Sequence, residues 1–315
     1  AERPTLTPSG GLNRLLKQLT TEDWLGPLVD AARPSEPERW EDPSLFVRPS
    51  AAGGPCTLDL QLTQVGHRGA IRPGLRALMD AGTQAHERIT NTEYMNSGVL
   101  IAGEVRLTRY LDDTPTHIWY GISPGTFDTE QPTAPAGPVA WSGEADLIVR
   151  HPTSGLMHVG EIKKANSFRV KRLPPDTGDP EDMARKMLRA EPKYMRQLAR
   201  YVGEFLEHFG PRMSDLAFFH WENANTQELR IIWVRVEPWL IEDARANADV
   251  AESATAEGRV VDFPFKKGSP TCSRCDRQRL CNQLREGDEE SWLKVRTAVA
   301  KVNEMRPPTT ARGAG

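Results

Sequence analysis

The run WSGEADLIVR (141–150), the short HPTSG (151–155) and the run LMHVGEIKK (156–164) decide how this chain is read. The two outer runs are strand-like and the middle has turn composition, which predicts a β-hairpin. Residues i and i+2 of a strand share a face, so Glu161 and Lys163 project together and Asp146 can lie opposite them. Two carboxylates converging on one point repel unless a divalent cation neutralises them, and oxygen ligands suit magnesium or manganese. A lysine ammonium beside that cation helps orient and deprotonate a water, or stabilises charge on a phosphate. This is the equipment of metal-assisted phosphodiester hydrolysis. Taken alone, an E-x-K on a strand is ordinarily a solvated face with a weak ion pair, so the rest of the chain has to weigh in.

Working outward, 71–89 has helical spacing and holds Gly82 four residues before His86. VLIAGEVRLTRY (99–110) and THIWYGI (116–122) read as strands, with Glu104 on the first as a helper residue. Residues 123–139 read as a Pro/Gly/Thr loop. Helices are expected over 181–190 and 193–209, separated at Pro192. The second carries an apolar stripe at Tyr194, Leu198, Tyr201 and Phe205. It also sets Gln197 and Tyr201 at i and i+4, on one face. LAFFHWE (216–222) and ELRIIWVRVE (228–237) are strands; 238–257 and 289–303 are helices. The fold class is α/β, a mixed central sheet flanked by helices. The chain is divided as an N-terminal extension, partly helical over 11–32 (1–55), a core (56–258), a cysteine-bearing element with a C-terminal helix (259–303) and a disordered tail (304–315).

The 315 residues and 35.1 kDa suggest about two domains, or one core with large additions. No apolar run of about 18 residues exists, so no membrane-spanning helix is expected. AERPTLTPSG (1–10) lacks a basic start followed by an apolar run, so a secretory signal is not expected and a cytoplasmic location is. The net charge of -3 excludes a chain basic throughout. Of four cysteines, Cys272, Cys275 and Cys281 lie within ten residues. In a reducing compartment such clustering means metal more often than disulfide. Four thiolates suit zinc or an iron–sulfur cluster, although one lone distant cysteine plus C-x-x-C-x5-C is uncommon for zinc.

Gly82-x-x-x-His86, then Gly143-x-x-Asp146, then Glu161-x-Lys163, then Gln197-x-x-x-Tyr201 resembles the RecB-like branch of the PD-(D/E)XK nucleases. Cys56 ahead of these motifs and Cys272, Cys275 and Cys281 behind them resemble its iron–sulfur subset, typified by AddB and the CRISPR-associated Cas-four exonucleases. The resemblance spans roughly 56 to 285. It implies a PD-(D/E)XK core with a C-terminal element clasped by a [4Fe–4S] cluster on Cys56, Cys272, Cys275 and Cys281, with structural zinc as the alternative. It implies that His86, Asp146, Glu161 and the Ile162 carbonyl hold Mg or Mn. It makes Lys163 the catalytic lysine, with Gln197 and Tyr201 as the supporting pair.

Positive charge concentrates where such a site needs it. Residues 161–200 hold eleven Lys/Arg against six Asp/Glu, and 259–285 hold seven against two. Lys164, Arg169, Lys171, Arg172, Arg274 and Arg277 are the candidates for gripping DNA phosphates without reading sequence. The expected function is a divalent-metal-dependent DNA nuclease, an exonuclease on single strands or DNA ends in recombination, repair or phage DNA metabolism. Alternatives are a spacer-trimming nuclease working with an integrase in CRISPR acquisition, and a catalytically silent DNA-binding module. A third rival is a zinc-stabilised interaction protein. Expected partners are DNA and a protein such as a helicase, recombinase or integrase, inside a prokaryotic or phage-infected cell. An oligomer is allowed.

Overall fold

The computed structural model describes residues 36–306, apart from 72, 112–113, 125–136, 176 and 274. The expected helices over 11–32, most of the 123–139 loop and the tail beyond 306 lie outside these residues. Strand β1 (Arg39–Trp40) pairs with β2 (His67–Arg68) in a small ribbon. The main sheet has six strands: β3 (Leu100–Tyr110), β4 (His117–Ile122), β5 (Val139–Arg150), β6 (Met157–Ala165), β7 (Leu216–Asn223) and β8 (Leu229–Arg235). Their spatial order is β4-β3-β5-β6-β7-β8. All neighbours are antiparallel except β6 and β7. The helices that shape the sites are α1 (Thr57–Gln64), α2 (Pro73–Arg88), α3 (Pro180–Ala190), α4 (Pro192–Phe209), α5 (Pro238–Ala256), α6 (Gln278–Arg285) and α7 (Glu289–Glu304). The architecture is a mixed α/β fold with a central mixed sheet flanked by helices.

The β5–β6 hairpin forms in the register that pairs Leu147 with Gly160. One further step sets Asp146 across from Glu161. The parallel β6–β7 pair cannot be closed by a tight turn and needs a crossover, which α3 and α4 supply. Asp179 caps α3 by accepting the Asp182 N–H, and Pro180 opens it. Pro192 then starts a new helix instead of continuing the old one, because it has no N–H to donate. On α4, Leu198, Tyr201 and Phe205 are buried against Trp141, Phe219 and Trp221 in the main core. Each large apolar side chain so buried contributes about 1.5–3 kcal/mol before entropy is counted. Helix α2 runs on into a π-helical segment, Ile89–Tyr94, and its Ala85 and Ile89 pack on Leu147, Ile162 and Phe218.

A second core joins the two ends of the described chain. Leu45, Leu58 and Leu62 pack with Leu280, Leu284, Val295, Val299 and Val302. Gln61 rivets this junction from its buried place on α1. Its amide donates to Thr255 Oγ1 at 3.0 Å and to the Arg259 carbonyl at 2.7 Å, and its Oε1 accepts the Val261 N–H at 2.8 Å. The division expected at 55/56 therefore does not mark a break in packing: Leu45, Phe46 and Val47, ahead of it, are buried in three different core clusters. Apolar residues scattered through a linker-like stretch carry no periodicity, so burial there is invisible until the two ends meet. Among the described residues, no helix is long and apolar enough to cross a membrane.

Candidate metal and nucleic-acid site

Asp146 and Glu161 reach the same cavity because they face each other across β5 and β6. His86, Asp146, Glu161, Lys163, Gln197 and Tyr201 all line this one cavity of about 580 Å³. Asp146 Oδ2 accepts the Ile162 N–H at 2.7 Å, and Asp146 Oδ1 lies 3.4 Å from His86 Nδ1. His86 Nε2 is 2.9 Å from the Ile162 carbonyl oxygen. Glu161 Oε1 accepts from Gln197 Nε2 at 2.7 Å and from the Lys163 ammonium. Gln197 Nε2 also reaches Tyr201 Oη at 3.3 Å, as the i, i+4 spacing on α4 requires. Lys163 Nζ lies 4.0 Å from Asp146 Oδ2 and 5.0 Å from the centre of the Tyr194 ring.

Electrostatically the site is under tension. Burial pushes the Asp146 carboxyl up to about 6. Burial, with Asp146 beside it, pushes Glu161 up to about 7. The two carboxylates outweigh the cost of burying Lys163, so its pKa is raised and it stays a cation at neutral pH. Burial lowers the His86 pKa, favouring the neutral imidazole that a metal needs. Glu161 Oε2 is buried and has no hydrogen-bond partner. The candidate ligands are not gathered at one point, however. Among the described residues, His86, Asp146 and Glu161 do not offer three ligand atoms within 4.8 Å of one another, because Glu161 is turned toward Lys163 and Gln197.

Glu104 lies across from Asp146, in the step between the Gly103–Leu147 and Val105–Ala145 pairs. Its φ of 53° is left-handed, and Gly121 leaves room for it, since a Cβ there would come 2.9 Å from the Glu104 side chain. It does not line the cavity. Arg48, Arg106 and Glu144 do, and sequence reading missed them. Glu144 could have been found, two residues before Asp146 on the same strand. Arg48 carried no signal at all.

Cys56 stands 216 residues ahead of Cys272, the first of the other three, yet all four line a second cavity of about 300 Å³. All four are free thiols. Cys56 sits at the N-cap of α1, where its Sγ accepts the Asp59 N–H at 3.4 Å. Burial pushes Cys275 up to about 11 and Cys281 up to about 12. Asp59, Cys275 and Asp276 offer ligand atoms within 4.8 Å of one another, and no three of the thiols do. Gly69 lets the chain pass against this loop, because a Cβ there would come 2.6 Å from the Asp276 backbone.

The six arginines and lysines expected to grip DNA divide sharply. Lys171 and Arg172 are exposed, and Arg172 lies over the exposed Phe168 ring at 5.7 Å. Lys164 is tied to the buried Glu222 at 3.0 Å. Arg169 grips Glu191 and lies near the rings of both Tyr194 and Trp221, at 4.9 and 5.8 Å. Arg277 is a correction. It is only 7% exposed, pairs with Asp59 at 2.6 Å and donates to the His67 carbonyl at 3.0 Å, so it straps the cysteine loop and is buried away from a passing phosphate. Arg274 lies outside the described residues.

No family model and no curated protein matches the chain. Among solved structures it is similar to the one titled "Crystal structure of SSO0001", with a TM-score of 0.40 and 12% identity over 76% of this chain and 88% of that one.

Proposed function

We propose that this protein is a divalent-metal-dependent DNA nuclease of the RecB-like PD-(D/E)XK kind, stabilised by an iron–sulfur cluster. One observation carries the reading: His86, Asp146, Glu161, Lys163, Gln197 and Tyr201, picked from 116 positions of sequence, line a single cavity. The donor set fits Mg or Mn. It offers hard carboxylate oxygens, a backbone carbonyl and a neutral imidazole. His86 Nε2 and the Ile162 oxygen, now 2.9 Å apart, would both turn to such an ion. The buried, unpartnered Glu161 Oε2 is the oxygen such an ion would satisfy.

A bound divalent cation would polarise the scissile phosphate and lower the pKa of a coordinated water. This chain's residues do the rest. Asp146 is held by the Ile162 N–H, Glu161 by the Gln197 amide. Lys163, a cation throughout, acts on the negative charge that grows on the phosphate and is not the base. Tyr201 braces Gln197.

Cys56, Cys272, Cys275 and Cys281 would hold a [4Fe–4S] cluster, for which four thiolates suffice. Around one tetrahedral zinc, sulfurs stand about 3.8 Å apart, whereas no three of these thiols lie within 4.8 Å of one another, which favours the larger group. The test is protein purified without oxygen, given end-labelled single- and double-stranded DNA with Mg, Mn or chelator, beside Lys163→Ala. Cation-dependent degradation lost in the variant supports the reading. No degradation and no DNA binding by folded, iron-loaded protein defeats it. DNA binding without degradation favours the silent module.

A further inference from the structure

One wall of the carboxylate cavity is the turn around Arg48, far from the motifs in sequence. Val47 and Pro49 on either side are buried, while Arg48 itself is exposed. The turn is pinned twice. The Val47 N–H donates to Glu252 Oε1 at 2.7 Å. Gly53 packs so tightly on α4 that a Cβ there would lie 2.1 Å from the Lys193 carbonyl oxygen. The turn at Arg48 is therefore held against the helix that carries Gln197, and Arg48 lines the cavity that Asp146, Glu161 and Lys163 also line.

The other cations of this cavity are taken. Lys163 is bound to Glu161, and Arg106 grips Glu144 through Nε at 3.0 Å. Among the described residues, the Arg48 carbonyl accepts the Ala51 and Ala52 N–H groups, while its side chain makes no hydrogen bond, ion pair or ring contact. Although Arg48 is exposed as a whole, loss of water around part of its side chain, with Arg68 and Arg106 nearby and Glu41 opposing them, lowers its pKa from the usual guanidinium range. A guanidinium offers five donors in a planar fork that matches the oxygens of a phosphate.

We propose that Arg48 is the substrate-phosphate clamp of this cavity: it grips a backbone phosphate of the bound strand next to the one presented to Asp146 and Glu161. The proposal rests on the nuclease reading and names a contact that reading does not contain. The clamp belongs to substrate binding, so its loss raises KM more than it lowers kcat.

The test measures cleavage of a labelled single-stranded oligonucleotide with Mn, and binding of the same oligonucleotide in a Lys163→Ala background across a salt series. Arg48→Ala and Arg48→Gln are each compared with the parent, and Arg48→Lys asks for rescue by point charge. The expected result is a five- to twentyfold rise in KM and Kd for both neutral variants, partial recovery in Arg48→Lys, and unchanged Mn affinity. The slope of log K against log salt falls by about 0.7. A parent that cuts and binds DNA, with Arg48→Ala and Arg48→Gln equal to it in KM, Kd and salt slope, overturns the clamp and leaves the nuclease reading standing. A folded, metal-loaded parent that neither cuts nor binds DNA overturns both.

Discussion

The Gln197 side-chain amide donates to Glu161 Oε1, the same oxygen that receives the Lys163 ammonium. A helix of the crossover thus holds a carboxylate of the hairpin, and one glutamate oxygen is occupied so that the other is free. Gln197→Ala releases Glu161 without removing any proposed metal ligand. Such supporting partners typically contribute 10–100-fold. We expect kcat to fall by about that factor, with folding stability lowered by about 1–2 kcal/mol for the lost buried hydrogen bonds. Steady-state kinetics beside a thermal melt separate the two effects.

Cation-free protein should lose stability as pH rises. The folded pKa values of Asp146 and Glu161, about 6 and about 7, lie above the ordinary carboxylate values near 4. Between those limits the folded state holds more protons than the unfolded one, so stability falls as pH goes up. That contribution is complete below about pH 4 and gone above about pH 7. Divalent cation must displace the same protons, so apparent Mn affinity rises over this window and levels off above it. Melting in chelator and in Mn at pH 5, 6, 7 and 8 checks both signs. Glu161→Gln should flatten the chelator curve, and an unchanged curve would refute the assignment.

The thiols of metal-free protein should be sluggish. With Cys275 and Cys281 pushed up to about 11 and about 12, both stay protonated at pH 8. The thiolate is the reactive form, so alkylation by iodoacetamide at pH 8 should be much slower folded than unfolded. Protein made without oxygen should be brown, with about four iron atoms per chain. Cys281→Ser should lose colour, iron and melting temperature together.

Gln61 ties α1 to the C-terminal part of the chain and so carries Cys56 to the other three cysteines. Gln61→Ala leaves the buried Val261 N–H without its acceptor, at a cost of about 1–3 kcal/mol. Thr255→Ala breaks the same network, since Thr255 Oγ1 donates to Gln64 Oε1 at 2.9 Å. The double variant should cost less than the sum of the two, because the sites share partners. Urea denaturation of the four proteins measures this coupling.

Much of the fold was legible from local pattern. Period-two runs marked β5 and β6, Pro192 marked the break between α3 and α4, and the turn residues at 151–155 marked the hairpin. Even the convergence of Asp146 on Glu161 and Lys163 follows from a two-residue strand period and a short turn. Helix α1 and helix α6 were not foreseen. TLDLQLTQ alternates like a strand, and only burial of both its faces in the junction of the two ends makes it helical.

By itself, the sequence determined the strands and the long helices, because these depend on neighbours within a turn or a hairpin, and it marked the residues of both candidate sites by type and spacing. Tertiary structure alone decided which charges are free. Arg277 and Arg48 are both arginines in basic or loop-like stretches. One is buried against Asp59 and the His67 carbonyl, and the other stands unpaired in the wall of the carboxylate cavity. Each outcome depends on partners far away along the chain, and an ion pair or an empty guanidinium exists only once those partners have been packed into place.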